Sequence, residues 1–144
     1  MRFRNIFIVV VLMFILASCG YKDWPQPVES QDVVSIVNAQ ASLDSSCMGL
    51  KVQLGGQYQN VKAVDLLLEP VGYGENEGCP TCPFKPLRRL RLVPGDAGFE
   101  QNGPFLNLTY CGLKTDKTYR WRVVVENVHQ ALRPVRSDVK TIEP

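Results

Sequence analysis

The fold is decided by the stretch Leu113-Lys114-Thr115-Asp116-Lys117-Thr118-Tyr119-Arg120-Trp121-Arg122-Val123-Val124-Val125-Glu126-Asn127. From Tyr119 onward, Tyr119, Trp121, Val123 and Val125 occupy one phase of a two-residue alternation, and Arg120, Arg122, Val124 and Glu126 the other. Successive side chains of an extended chain point to opposite faces, so the run reads as a strand with an aromatic and β-branched face turned to a core.

The segments around it read the same way. Met48, Leu50, Val52 and Leu54 alternate with Gly49, Lys51 and Gln53 until Gly55-Gly56 closes the run. Further strands are expected at Val33 to Leu43, at Val61 to Val71 with Val64, Leu66 and Leu68 inward, and at Leu87 to Val93, stopped by Pro94-Gly95. Phe105 to Tyr110, with Leu106, Leu108 and Tyr110 inward, and Val135 to Ile142 complete a set of seven. A long Pro- and Gly-rich loop, Gly72 to Pro86, separates the third strand from the fourth. No stretch after residue 30 sustains a helical period with start and stop signals, and there is no internal repeat. Short strands broken at regular intervals by Gly, Pro, Asn and Asp imply an all-β chain, a sandwich or a barrel.

The stretch from Leu113 also resembles the corner that leads into the sixth strand of fibronectin type III domains, where a Leu precedes a Tyr by six residues, as Leu113 precedes Tyr119. The alternating strand ending in Asn127, and a closing strand with Ser137, Val139 and Thr141, extend the resemblance over residues 28 to 144. It implies a seven-stranded fibronectin type III/immunoglobulin-like β-sandwich, in which the corner Tyr hydroxyl bonds to nearby backbone and pins the crossover between sheets. The chain departs from the family in lacking a Trp on the second strand, where Val52 or Leu54 would substitute, and in the length of the loop after the third.

Five cysteines are present, four of them (Cys47, Cys79, Cys82 and Cys111) beyond residue 30. The fold that the resemblance implies makes the second and fifth strands antiparallel neighbours, which brings Cys47 and Cys111 together as a cross-strand disulfide. Cys79-Pro80-Thr81-Cys82 then pairs with itself. A thioredoxin-type redox centre would place the first Cys at a helix start in a βαβ unit, and zinc would need a second ligand pair, whereas His129 is the only histidine. A local disulfide is expected, and no metal or other cofactor.

At the N-terminus, Arg2 and Arg4 precede an unbroken apolar run from Ile6 to Leu16, shorter than the roughly 20 residues of a membrane span. A charged start, a short apolar core and small residues after it are the pattern of a cleaved secretion signal, expected at residues 1 to 18. Leu16-Ala17-Ser18-Cys19 resembles the lipobox of bacterial lipoproteins, which implies lipidation of Cys19 as the first residue of the mature chain. Several acyl chains, at about 0.8 kcal/mol per buried methylene, anchor stably where one would not. By the sorting rule of that family, Gly20 favours the outer membrane. Residues 19 to 30, with Pro25 and Pro27, read as an extended tether, and residues 31 to 144 as the sandwich. Cys19-Gly20-Tyr21-Lys22 with Pro25 and Pro27 also resembles, in part, short accessory lipoproteins of outer-membrane lipopolysaccharide assembly.

Of the charges, 16 are Lys or Arg and 14 are Asp or Glu; removal of Arg2 and Arg4 with the signal leaves a neutral balance. No nucleic-acid footprint is present. A single histidine in a loop, Ser45-Ser46 without a base, and no nucleophile elbow give no catalytic constellation. Asp65 and Glu69 are expected outward on the third strand, as exposed cross-strand partners of Arg120 and Arg122. Lys85, Arg88, Arg89 and Arg91 form the one concentrated basic stretch. Arg89 and Arg91, beside Arg120 and Arg122, would make a cationic band on one sheet, the candidate binding surface. The expected function is that of a non-enzymatic, lipid-anchored envelope protein, facing the periplasm from the outer membrane and contacting an envelope protein partner. The alternatives are glycolipid or polysaccharide binding through the band, or an accessory role in outer-membrane assembly.

Overall fold

A computed structural model describes residues 32–143 of the chain. The expected signal peptide, Cys19 and the tether to residue 30 lie outside the described residues. Nine strands follow one another: β1 (Val34–Asp44), β2 (Cys47–Gly56), β3 (Val61–Pro70), β4 (Arg88–Leu92), β5 (Phe99–Asn102), β6 (Phe105–Cys111), β7 (Tyr119–Asn127), β8 (Val135–Arg136) and β9 (Lys140–Ile142). They form two antiparallel sheets, ordered β1-β2-β6-β5 and β4-β3-β7-β8, with β9 also paired to β7. One apolar cluster joins the inner faces of both sheets, an arrangement compatible with a β-sandwich.

The strand count differs from the seven expected, for two local reasons. β5 carries a single buried apolar residue, Phe99, in the sequence Phe-Glu-Gln-Asn, too short and polar for an alternation to show. The last strand is split because Ser137 leaves the ladder: its hydroxyl accepts the Val123 N–H at 3.0 Å while its own N–H donates to Val123 C=O.

The alternations fix which side is core. Met48, Leu50, Val52 and Leu54 from β2 and Leu106 and Leu108 from β6 meet Val64, Leu66 and Leu68 from β3 and Tyr119, Trp121, Val123 and Val125 from β7. Burial of each aliphatic side chain stabilises the fold by about 1.5–3 kcal/mol. Trp121 is the largest side chain that is fully buried. At the corner before β7, Leu113 is buried and the Tyr119 hydroxyl accepts the Lys114 N–H at 3.0 Å. The β1–β2 hairpin turns at Ser45, whose φ is 53°, and β2 pairs β6 in a register that sets Cys47 opposite Cys111. A disulfide joins them, and the Gly112 and Leu113 N–H groups both donate to Ser46 C=O beside it. At the far end of β7, the Asn127 side-chain amide donates to Asp32 C=O at 2.7 Å.

Candidate functional site

Register places the candidate residues on the outer face of the sheet containing β3 and β7. One row across that face runs Arg89, Leu67, Arg122; the next runs Arg91, Asp65, Val124, Arg136; Glu69 lies opposite Arg120 in a row of its own. A strand's outer side chains are ordinarily solvated, but Asp65, Glu69 and Arg120 are only 3%, 2% and 8% exposed. The expectation of exposed pairs is thereby corrected. Over Glu69 and Arg120 the covering element is the loop from residue 71 to 87, folded back over the sheet, whereas Asp65 is met by Arg89 and Arg91 of β4.

The loop is bolted down by its backbone. Arg120 Nη1 donates to Cys82 C=O at 2.6 Å and to Pro80 C=O at 3.4 Å, and its Nη2 makes an ion pair with Glu69. The other Glu69 oxygen accepts the Lys85 N–H at 3.2 Å. Gly78 N–H donates to Pro70 C=O and Leu87 N–H to Leu68 C=O. Gly78 lies so close under Glu69 that a Cβ there would overlap the carboxylate. A disulfide closes Cys79 to Cys82, so the segment whose carbonyls Arg120 holds is itself a covalently closed turn. Phe84 completes the latch, its ring centroid 5.9 Å from the Arg120 guanidinium and 5.5 Å from that of Arg122, within cation–π range.

Beside the latch runs an open groove of about 540 Å³. Its apolar surface comes from Leu67, Val124, Phe84, Pro86 and Pro134, and its charged rim from Arg88, Arg89, Arg122 and Arg136, with Asp65 and Glu126. The acids are already engaged. Asp65 Oδ2 takes Arg89 at 2.6 Å and Arg91 at 3.5 Å, and Arg91 binds both oxygens of Glu126. Those hydrogen bonds hold the Glu126 carboxyl below its ordinary range and raise the Arg89 and Arg91 guanidiniums. Among the described residues, Arg88, Arg122 and Arg136 have no ion pair. Arg122 Nε is enclosed without a hydrogen-bond partner.

The band expected from Arg88, Arg89, Arg91, Arg120 and Arg122 is therefore divided. Arg120 is a buried structural cation, Arg89 and Arg91 neutralise Asp65 and Glu126, and Arg88, one residue out of phase with Arg89, sits at the rim. Of the five, Arg88 and Arg122 line the groove without an ion pair, and Arg136, which the sequence reading did not select, joins them. Phe84, Pro86 and Pro134 were also missed, because loop residues carry no periodicity; the one cue was an aromatic at the end of a Cys- and Pro-rich loop. A second cleft of about 570 Å³ lies toward Glu75, Lys114 and Tyr119, where Lys117 pairs with Glu77 at 2.7 Å and holds its carboxyl below the ordinary range. Among the described residues, no three of His, Cys, Asp and Glu come together as a metal site. No protein-family model matches the chain, and no curated protein matches its sequence.

Proposed function

We propose that the chain is a lipid-anchored interaction protein of a bacterial cell envelope, exported by residues 1 to 18 and acylated at Cys19. A tether at 19 to 30 then carries a fibronectin type III-like binding domain, at 31 to 144, that performs no catalysis. The observation that carries the reading is the disposition of the cysteines. Of five, four are consumed in Cys47–Cys111 and Cys79–Cys82, which leaves Cys19, at the end of Leu16-Ala17-Ser18, outside both disulfides. Two disulfides in a chain of this size fit an oxidising compartment. The family assignment is supported by buried Leu113 and by the Tyr119 hydroxyl on the Lys114 backbone. Fully extended, the tether lets the domain reach about 40 Å from the bilayer, enough to meet a periplasmic face of an outer-membrane complex.

The test is fractionation with intact mass. The parent chain is expected in the outer-membrane fraction, beginning at Cys19 and carrying acyl chains, while Cys19→Ser is released to the periplasmic fraction or left unprocessed. A mature N-terminus elsewhere, or unmodified Cys19 in membrane-bound protein, refutes the reading. Crosslinking of the acylated protein in its envelope then identifies the partner.

A second reading, binding of a glycolipid or polysaccharide, is favoured by one feature: the Arg122 and Arg136 charges lie in a groove whose acids are already paired.

A further inference from the structure

We infer that the groove between the latch loop and β8 is a binding site for a phosphate group borne on an apolar body, held by Arg122 and Arg136. The inference deepens the second reading and rests on it. Arg122 and Arg136 are diagonal neighbours on one face, since Arg136 pairs with Val124, two residues from Arg122. At that spacing two long side chains converge on one ligand group. The Phe84 ring flanks Arg122, which restricts the guanidinium before any ligand arrives, and planar guanidinium forks match phosphate oxygens two at a time. Asp65 Oδ2 and Glu126 are ion-paired with Arg89 and Arg91, and neither acid pairs with Arg122 or Arg136, although Asp65 Oδ1 has no hydrogen-bond partner.

The remaining surface selects the body of the ligand. The floor is made by β3 and β7, each paired on both sides, so it offers no free N–H or C=O to an extended peptide. Recognition there rests on side chains alone: Leu67, Val124, Pro86 and Pro134 for an apolar moiety, and the two arginines for an oxyanion. The volume of about 540 Å³ lies within the range of small-molecule sites. A phosphate-bearing lipid and a free phosphate ester share the head chemistry and differ in whether they use the floor.

The full chain in neutral detergent is titrated by calorimetry with dihexanoyl phosphatidic acid, inorganic phosphate and an oligoglutamate peptide. Phosphatidate is expected to saturate one site. Arg122→Gln and Arg136→Gln are each expected to weaken it about tenfold, the loss of one charge-assisted hydrogen bond. Lys51→Gln, on β2 of the other sheet, removes the same charge and should leave affinity unchanged. Phosphatidate binding more tightly than inorganic phosphate supports the apolar body and assigns a lipid source; equal affinities with the same arginine dependence assign a free phosphate and overturn the apolar body. Absence of saturable binding, a loss as large in Lys51→Gln, or oligoglutamate alone binding through Arg122 overturns the proposal. Should Arg122→Gln fail to fold, the exposed Arg136 carries the test. Cys19 acylation is read by mass independently, so anchor and groove fail separately.

Discussion

Glu69 and Arg120 face each other across β3 and β7 on the side that alternation assigns to solvent, yet both are buried. The alternation gave the direction of these side chains correctly and their environment wrongly, because burial is imposed by residues 78 to 87, a segment whose return over the sheet leaves no periodic trace. The same distinction separates the legible from the illegible at Arg122: its strand face could be read, but its stacking on Phe84 could not. A buried pair is costly to break from one side, since the survivor keeps its desolvation penalty. Glu69→Leu leaves an enclosed guanidinium with two carbonyls and an aromatic ring, and is expected to lower stability by about 3 kcal/mol. Replacing both groups, as Glu69→Leu with Arg120→Met, should cost less than the sum of the single changes. Urea unfolding of the four proteins measures the coupling, and two singles within about 0.5 kcal/mol of the parent would show that the pair is not structural.

Among the elements, those long enough to display a period were legible to within a residue or so, β2 and β7 above all. β5, with four residues and one buried side chain, and the broken β8 and β9, where a hydroxyl stands in for a backbone partner, were not. The two disulfides differ in the same sense. Cys47–Cys111 ties β2 to β6 across 64 residues of sequence, whereas Cys79–Cys82 closes three. By chain entropy alone the first restricts the unfolded chain by about 4 kcal/mol and the second by about 1.5 kcal/mol. Cys47→Ala with Cys111→Ala should therefore lower the denaturant midpoint far more than Cys79→Ser with Cys82→Ser. The smaller pair's effect should be confined to the latch, seen as faster hydrogen exchange at Lys85, whose N–H rests on Glu69. Equal global losses from the two pairs would mean that the latch is part of the folding unit.

The whole molecule is unequal at its edges. β4 shields its edge with three arginines, β5 is four residues with a glutamate, and β8 and β9 are two and three residues long. β1 is different: eleven residues, with no proline and no charge before Asp44, along the outer edge of its sheet. Such an edge is a template for another strand unless something blocks it. Two features do so. A register irregularity between Ile36 and Asn38 interrupts the edge, and Lys140, from β9 of the opposite sheet, donates its ammonium to the Ala39 carbonyl. Lys140 thus occupies one acceptor and sets a charge beside the uncharged strand. Lys140→Ala is expected to drive concentration-dependent association, measured by sedimentation velocity, without loss of the monomer's secondary structure. Adding Gln40→Lys to that variant should reverse the association, because it restores a charge on β1 itself. If Lys140→Ala sediments as the parent does at every concentration, the irregularity alone protects the edge and the lysine contributes only its tie between the sheets.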